Sequence, residues 1–102
     1  RETLRAIDDS VASLRETLER TGELDNTIIF VTSDNGFLLG EHGLIDKRNA
    51  YEASMRVPMI VWGPAYLRAA GAIDALVANI DMAPTILDLA SAPSLGAVDG
   101  HS

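Results

Sequence analysis

Six consecutive residues, Thr27-Ile28-Ile29-Phe30-Val31-Thr32, are β-branched or aromatic and show no polar alternation. Such side chains favour extended backbone, and the missing alternation leaves no side for solvent. A strand buried on both faces has this pattern, and such strands belong to parallel sheets covered by helices. The preceding residues supply a helix. Leu4, Ile7, Val11, Leu14 and Leu18 recur at spacings of three and four, one apolar stripe at the helical period. Polar residues fill the opposite face, and Thr21-Gly22 is a stop signal. The pattern predicts a helix over 2–20 and a strand over 27–32. Helix followed by buried strand is half of a βαβ unit.

Beyond the strand the periodicity breaks, and residues 33–56 read as a loop leaving its carboxyl end. A second apolar run, Val57-Pro58-Met59-Ile60-Val61-Trp62, predicts a strand over 57–62 ended by Gly63-Pro64. Pro58 cannot donate a ladder hydrogen bond, so it belongs at the strand's start or edge. Asp81, as an acidic N-cap, precedes Pro84-Thr85-Ile86-Leu87-Asp88-Leu89-Ala90, which predicts a helix over 81–90. The fold class expected is α/β, a fragment of a mainly parallel sheet flanked by helices, with residues 1–102 as one partial domain.

Hydrophobic residues make up 47% of the 102, enough for a packed core rather than a disordered chain. A net charge of −7 argues against nucleic acid as a partner, whose usual footprint is basic. There is no Cys, hence no disulfide, thiolate zinc site or cysteine nucleophile among these residues. No apolar run reaches the ~18 residues of a membrane span. Arg1-Glu2-Thr3-Leu4 is already in helical rhythm, and Val98-Asp99-Gly100-His101-Ser102 is equally abrupt, so the chain is expected to be an excerpt.

In open α/β sheets, ligands collect outside the carboxyl ends of strands. Ser33-Asp34-Asn35-Gly36 stands at that place. Asp34 offers a carboxylate and Asn35 a carbonyl oxygen, the oxygen-only chemistry that Ca²⁺ and Mg²⁺ prefer. Gly36 would allow a sharp turn and keep space beside a cation. The same residues are also ordinary turn chemistry. Lys47, in Asp46-Lys47-Arg48, could neutralise charge developing on a bound oxyanion, or be a solvated loop charge. His42, in Gly40-Glu41-His42-Gly43, could be a general acid, a further ligand or a loop histidine bonded to backbone. Arg56 is expected to pair with Glu52 and order the loop.

Taken together, several ordered motifs resemble the sulfatase family of the alkaline phosphatase superfamily. They are Val31-Thr32-Ser33-Asp34-Asn35-Gly36, Leu39-Gly40-Glu41-His42-Gly43, Asp46-Lys47-Arg48, Tyr51-Glu52 and Arg56-Val57-Pro58-Met59-Ile60-Val61. Val77-Ala78-Asn79-Ile80-Asp81 and Ala83-Pro84-Thr85-Ile86-Leu87-Asp88-Leu89-Ala90 follow, and Ile7-Asp8-Asp9-Ser10-Val11 is similar to the helix before the metal-ligand strand. The set is most similar to the N-acetylglucosamine-6-sulfatase and mucin-desulfating branch.

The resemblance implies an alkaline-phosphatase-like sandwich and a sulfuric ester hydrolase acting on a sulfated carbohydrate or other sulfate ester. It makes Asp34 and Asn35 ligands of a divalent cation, usually Ca²⁺, and Lys47 the lysine that contacts sulfate. His42 matches a position near the site, as a candidate catalytic residue. The family's nucleophile is a formylglycine made within a Cys/Ser-x-Pro/Ala-x-Arg motif, which does not occur here and is expected upstream. The isolated segment is therefore expected to be inactive, to bind metal weakly and to be prone to self-association. A periplasmic, secreted or lysosome-like setting follows from the resemblance alone. Two other readings stay open at this point: a phosphodiesterase or phosphonate hydrolase of the same superfamily, and a non-catalytic structural module.

Overall fold

The amphipathic segment forms helix α1, Glu2–Thr21. A computed structural model describes residues 2–67 and 71–102. Two compact units, Arg1–Ala70 and Gly71–Ser102, divide the chain. α1 ends as Thr21-Gly22 predicts. Gly22 takes φ +75°, its N–H donates to Glu19 O at 3.1 Å, and Glu23 N–H donates to Leu18 O at 2.9 Å. This is the Schellman arrangement, which gives partners to carbonyls that the helix end would otherwise leave orphaned.

Thr27 and Ile28 do not join the strand predicted from 27. A 3-10 turn at Leu24–Asn26 intervenes. Thr27 Oγ1 donates to Glu23 O at 2.7 Å, and its N–H donates to Leu24 O, which ties Thr27 to the turn. β1 is accordingly Ile29–Thr32, and β4, the second apolar run, is Met59–Trp62. Pro58 stands one residue before β4, where its missing N–H costs the ladder nothing. β1 and β4 pair with Ile29 opposite Trp62, Phe30 opposite Val61, Val31 opposite Ile60 and Thr32 opposite Met59.

That pairing is antiparallel, so the parallel neighbours expected of a mainly parallel sheet do not lie among the described residues. Within the predicted loop a second short antiparallel pair forms, β2 at Leu38–Leu39 and β3 at Ile45–Asp46. Mixed sheets commonly carry an antiparallel strand, and strand direction leaves no mark in an apolar run. Helices and strands together keep the chain in the α/β class.

The predicted loop also holds a 3-10 turn at Glu41–Gly43 and a one-turn helix, α2, at Glu52–Met55. Arg56 pairs with Glu52 at 3.6 Å, the expected ion pair, one helical turn apart and exposed. Arg15 lies over the Trp62 ring, 5.7 Å from its centroid, and joins α1 to β4. Tyr66 Oη donates to Asn26 Oδ1 at 3.0 Å across forty residues of sequence.

Burial is slight. Leu38 is fully buried, while Leu4, Ile7 and Leu14 of the α1 stripe and Ile60 and Val61 of β4 are exposed. Val11 and Leu18 of the stripe are half-buried, as are Ile29, Phe30 and Val31 of β1. The apolar faces that the sequence marks for a core are thus left uncovered by the described residues.

In the second unit, a 3-10 turn at Asn79–Asp81 leads into α3, Met82–Leu89. Asp81 does not cap α3 with its side chain, as expected from sequence. Its Oδ2 instead accepts Ala78 N–H at 3.0 Å, and its Oδ1 accepts His101 N–H at 2.9 Å. Those two N–H groups, His101 foremost, hold the Asp81 carboxyl below its ordinary value, because they bond the charged form. Gly100 is buried beside this clasp, where a Cβ would lie 2.6 Å from the Ile80 carbonyl carbon. Ser102 Oγ donates to Asp88 Oδ2 at 2.9 Å and closes the last residues onto α3.

Candidate metal and oxyanion site

β1 delivers the chain at Thr32 straight into Ser33-Asp34-Asn35-Gly36. The Ser33 hydroxyl folds the turn: Oγ lies 3.0 Å from Asn35 O and 3.3 Å from Asp34 Oδ1. The Asn35 amide is oriented by its own donors. Nδ2 donates to Gly36 O at 2.8 Å, which turns Oδ1 outward as an acceptor.

Lys47, at the end of the β2–β3 hairpin, fills the place in front of that acceptor. Its Nζ donates to Asn35 Oδ1 at 2.9 Å and stands 3.9 Å from Asp34 Oδ2. A carboxylate oxygen and an amide oxygen therefore face one cationic group. The Asp34 and Lys47 side chains are 81% and 50% exposed, so a ligand can reach the cluster from solvent. Lys47 is set in place by its neighbour, because Asp46 Oδ1 accepts Lys47 N–H at 2.6 Å while Asp46 Oδ2 lies 3.4 Å from Arg48 Nε. Asp46 is thus spent on the backbone and on Arg48 rather than on a ligand.

The turn is held from behind by α2. Gly36 N–H donates to Ser54 O at 2.8 Å. A Cβ at residue 36 would lie 3.0 Å from the Ala53 carbonyl carbon and closer still to its oxygen. The sequence reading explained this glycine by a sharp turn and open space. Its φ is not positive, and close approach of two backbones is what requires it. Ser54 is 3% exposed, and its Oγ has no hydrogen-bond partner among the described residues.

His42 is placed differently. It sits in the left-handed region at φ 57° between Gly40 at φ 127° and Gly43 at φ 71°. Its ring stacks on Tyr51, with centroids 4.0 Å apart and planes 17° from parallel. Beside it, Glu41 Oε2 accepts Leu39 N–H at 2.6 Å. The Glu41 carboxyl lies below its ordinary value chiefly because its own backbone N–H and that of Leu39 bond the charged form. The structure therefore gathers Asp34, Asn35 and Lys47 and seats His42 on Tyr51. Sequence reasoning marked Tyr51 only as part of the Tyr51-Glu52 motif, with no role, and did not mark Ser54; the apolar–polar pattern around them gave neither a place beside this site.

Oxygen donors converging on a cation suit a hard divalent metal, and in this respect Asp34 and Asn35 fit one. They would supply two of the roughly 6–8 oxygens that calcium takes. Among the described residues no group of three His, Cys, Asp or Glu side chains is placed to hold a metal. Two oxygen donors by themselves do not make a whole coordination set.

In this α/β chain, paired oxygen donors at a strand's carboxyl end face a lysine, an arrangement able to meet a cation and an oxyanion side by side. The Sulfatase family profile matches residues 2–92, and the chain belongs to the sulfatase family. An N-acetylglucosamine-6-O-sulfatase of Bacteroides thetaiotaomicron is 45% identical over 98% of this chain and 18% of its own length. The human N-acetylglucosamine-6-sulfatase is 51% identical over 87% of this chain and 16% of its own length. A choline-sulfatase of Rhizobium meliloti is 44% identical over 82% of the chain. A solved structure described as a complex with its substrate D-glucosamine-2-N,6-O-disulfate superimposes with TM-score 0.87 and 45% identity, over 98% of this chain and 20% of that one. The chain thus spans about a fifth or less of the length of these relatives. No described helix is long and apolar enough to cross a membrane.

Proposed function

We propose that these residues are part of a sulfuric ester hydrolase acting on a 6-O-sulfated amino sugar, in which Asp34 and Asn35 bind a divalent cation and Lys47 contacts the sulfate. The observation that carries the reading is the convergence of Asn35 Oδ1 and Asp34 Oδ2 on Lys47 Nζ, at 2.9 and 3.9 Å, in a chain of the sulfatase family. The names of the N-acetylglucosamine-6-sulfatase relatives and the sugar disulfate bound in the structural neighbour support the substrate class. The choline-sulfatase relative shares this segment about as well, so choice among sulfate esters is made by other parts of the protein.

A divalent cation, when bound, supplies a Lewis acid that polarises sulfate oxygens, and the nucleophile, a formylglycine by family, comes from outside these residues. What the chain itself contributes is charge and orientation. Asp34 and Lys47 carry opposite charges and Asn35 none, so these three side chains are neutral together. Against the chain's −7, a divalent cation seated there would add the local positive charge that an anionic ester needs. Asp46 holds the Lys47 backbone, while the ammonium, which stands in front of Asn35 Oδ1, would give way to a bound cation and turn to the sulfate beside it. The residues taken alone hold no nucleophile and are inactive.

The test is an assay of the full-length protein on 6-O-sulfated N-acetylglucosamine and on matched phosphate mono- and diesters, with calcium or chelator. Sulfate release that depends on the metal, and its loss together with calcium-induced thermal stabilisation in Asp34→Ala, is the expected outcome. Phosphate ester turnover without sulfate release would overturn the substrate class. Unaltered calcium stabilisation in Asp34→Ala would overturn the metal assignment.

A further inference from the structure

The candidate site is made of two pieces brought from different parts of the chain, and both are fastened to α2. The turn carrying Asp34 and Asn35 is fastened through Gly36 N–H and Ser54 O at 2.8 Å. The hairpin that ends in Lys47 is fastened at its far end, where the His42 ring lies on Tyr51 at 4.0 Å. Tyr51 is the residue that starts α2, and its carbonyl accepts the N–H groups of Ser54 and Met55 at 2.9 and 3.0 Å.

Within itself the hairpin tip is closed by Gly40 N–H to Leu44 O, Gly43 N–H to Gly40 O and Leu44 N–H to Glu41 O, each at 3.0 Å, and none of these three bonds reaches α2. Three of the tip's residues, Gly40, His42 and Gly43, have positive φ, and for a non-glycine residue that conformation costs about 1–2 kcal/mol. Of the two opposed pairs of β2 and β3, Leu38 opposite Asp46 is fully buried and anchors the base, while Leu39 and Ile45 on the tip side are 79% and 76% exposed.

We propose that Tyr51 is a positioning residue: by stacking on His42 it fixes the β2–β3 hairpin against α2 and so holds Lys47 in register with Asn35 and Asp34. On this assignment His42 acts through its ring face, not as an acid, base or metal ligand. The proposal rests on the reading of Lys47 and Asp34–Asn35 given above. It goes further by naming the residue pair that sets their relative placement.

The test uses the full-length protein and three variants, Tyr51→Phe, Tyr51→Ala and His42→Ala, with the double alanine variant to close the cycle. Tyr51→Phe keeps a flat ring and should match the parent in turnover of the sulfated sugar. Each single alanine variant should lower kcat by about three- to tenfold, the scale of one aromatic pair, with KM changing less. The double variant should fall no further than the singles, because both remove the same contact. Hydrogen exchange supplies a readout independent of turnover: amides of residues 38–47 should exchange faster in both alanine variants and at the parental rate in Tyr51→Phe.

The proposal is overturned if Tyr51→Phe falls with Tyr51→Ala, if the two alanine effects multiply in the double variant, or if exchange of the hairpin is unchanged in Tyr51→Ala. A His42→Ala loss far deeper than that of Tyr51→Ala would instead assign His42 a chemical role and also overturn it. If the parent shows no sulfatase activity, the functional reading fails by itself, and the exchange experiment still decides whether the stack fixes the hairpin.

Discussion

Replacing Gly36 by alanine is the sharpest perturbation the site offers, because it adds one methyl group where two backbones already touch. The new Cβ would stand 3.0 Å from the Ala53 carbonyl carbon, 3.2 Å from the Ser54 carbonyl carbon, and nearer again to Ala53 O. Ordinary contact begins near 3.4 Å, and backbone atoms cannot rotate aside as a side chain would. The turn and α2 must therefore separate. A displacement of about 0.5 Å, less than the clash demands, would already stretch the 2.8 Å Gly36 N–Ser54 O bond past the ~3.2 Å limit of a good N–H···O bond.

Overpacking of this kind costs about 1–3 kcal/mol. Loss of the hydrogen bond adds about 0.5–1.5 kcal/mol, so a destabilisation of roughly 2–4 kcal/mol is expected. The displacement also moves Asn35 away from Lys47, so the calcium-induced rise in melting temperature should shrink. Urea unfolding of the full-length protein in chelator reads the first effect, and thermal melts with and without calcium read the second. A loss below ~0.5 kcal/mol, the scale of an ordinary surface substitution, would refute the packing argument. A parental calcium response in a destabilised variant would refute the link between α2 and the site.

The remaining expectations are simpler. Lys47→Ala should cut kcat on the sulfated sugar by about 10²–10³, the scale of one lost charge-stabilising group. It should leave stability within ~1 kcal/mol, because its pairing with Asp34 is long and exposed; a melt that collapses with activity would mark Lys47 as structural. Asp81→Asn removes a carboxylate whose charged form is bonded by His101 and Ala78 N–H groups. A depressed carboxyl pKa contributes stability that is full above the ordinary value of 3.8 and is lost as pH falls below it. The parent should therefore lose more melting temperature than Asp81→Asn between about pH 5 and about pH 3, and parallel losses would sink the clasp.

Local chemistry explains why so much was legible. The α1 stripe and Gly22 determine a helix and its end within one turn, since period and backbone preference act over a few residues. The β-branched runs likewise determine β1 and β4, shortened only where Thr27 turned back to Glu23 and where Pro58 could not join the ladder. The Glu52–Arg56 pair was readable for the same reason, both ends lying on one helical turn. Asp81 was placed at the right helix start and given the wrong task, because its second partner, His101, lies twenty residues away.

The sequence by itself determined α1, β1, β4 and α3, the family and the residue types able to hold a cation and an oxyanion. Only the tertiary structure decided that β1 meets β4 antiparallel, that Lys47 faces Asn35 rather than solvent, that Gly36 is required by a neighbouring backbone rather than by its own φ, and that His42 lies on Tyr51. Each of these joins residues at least nine positions apart in the chain, where no periodicity or propensity links them. Such contacts are selected by the packing of whole elements, and that choice is made only when they meet.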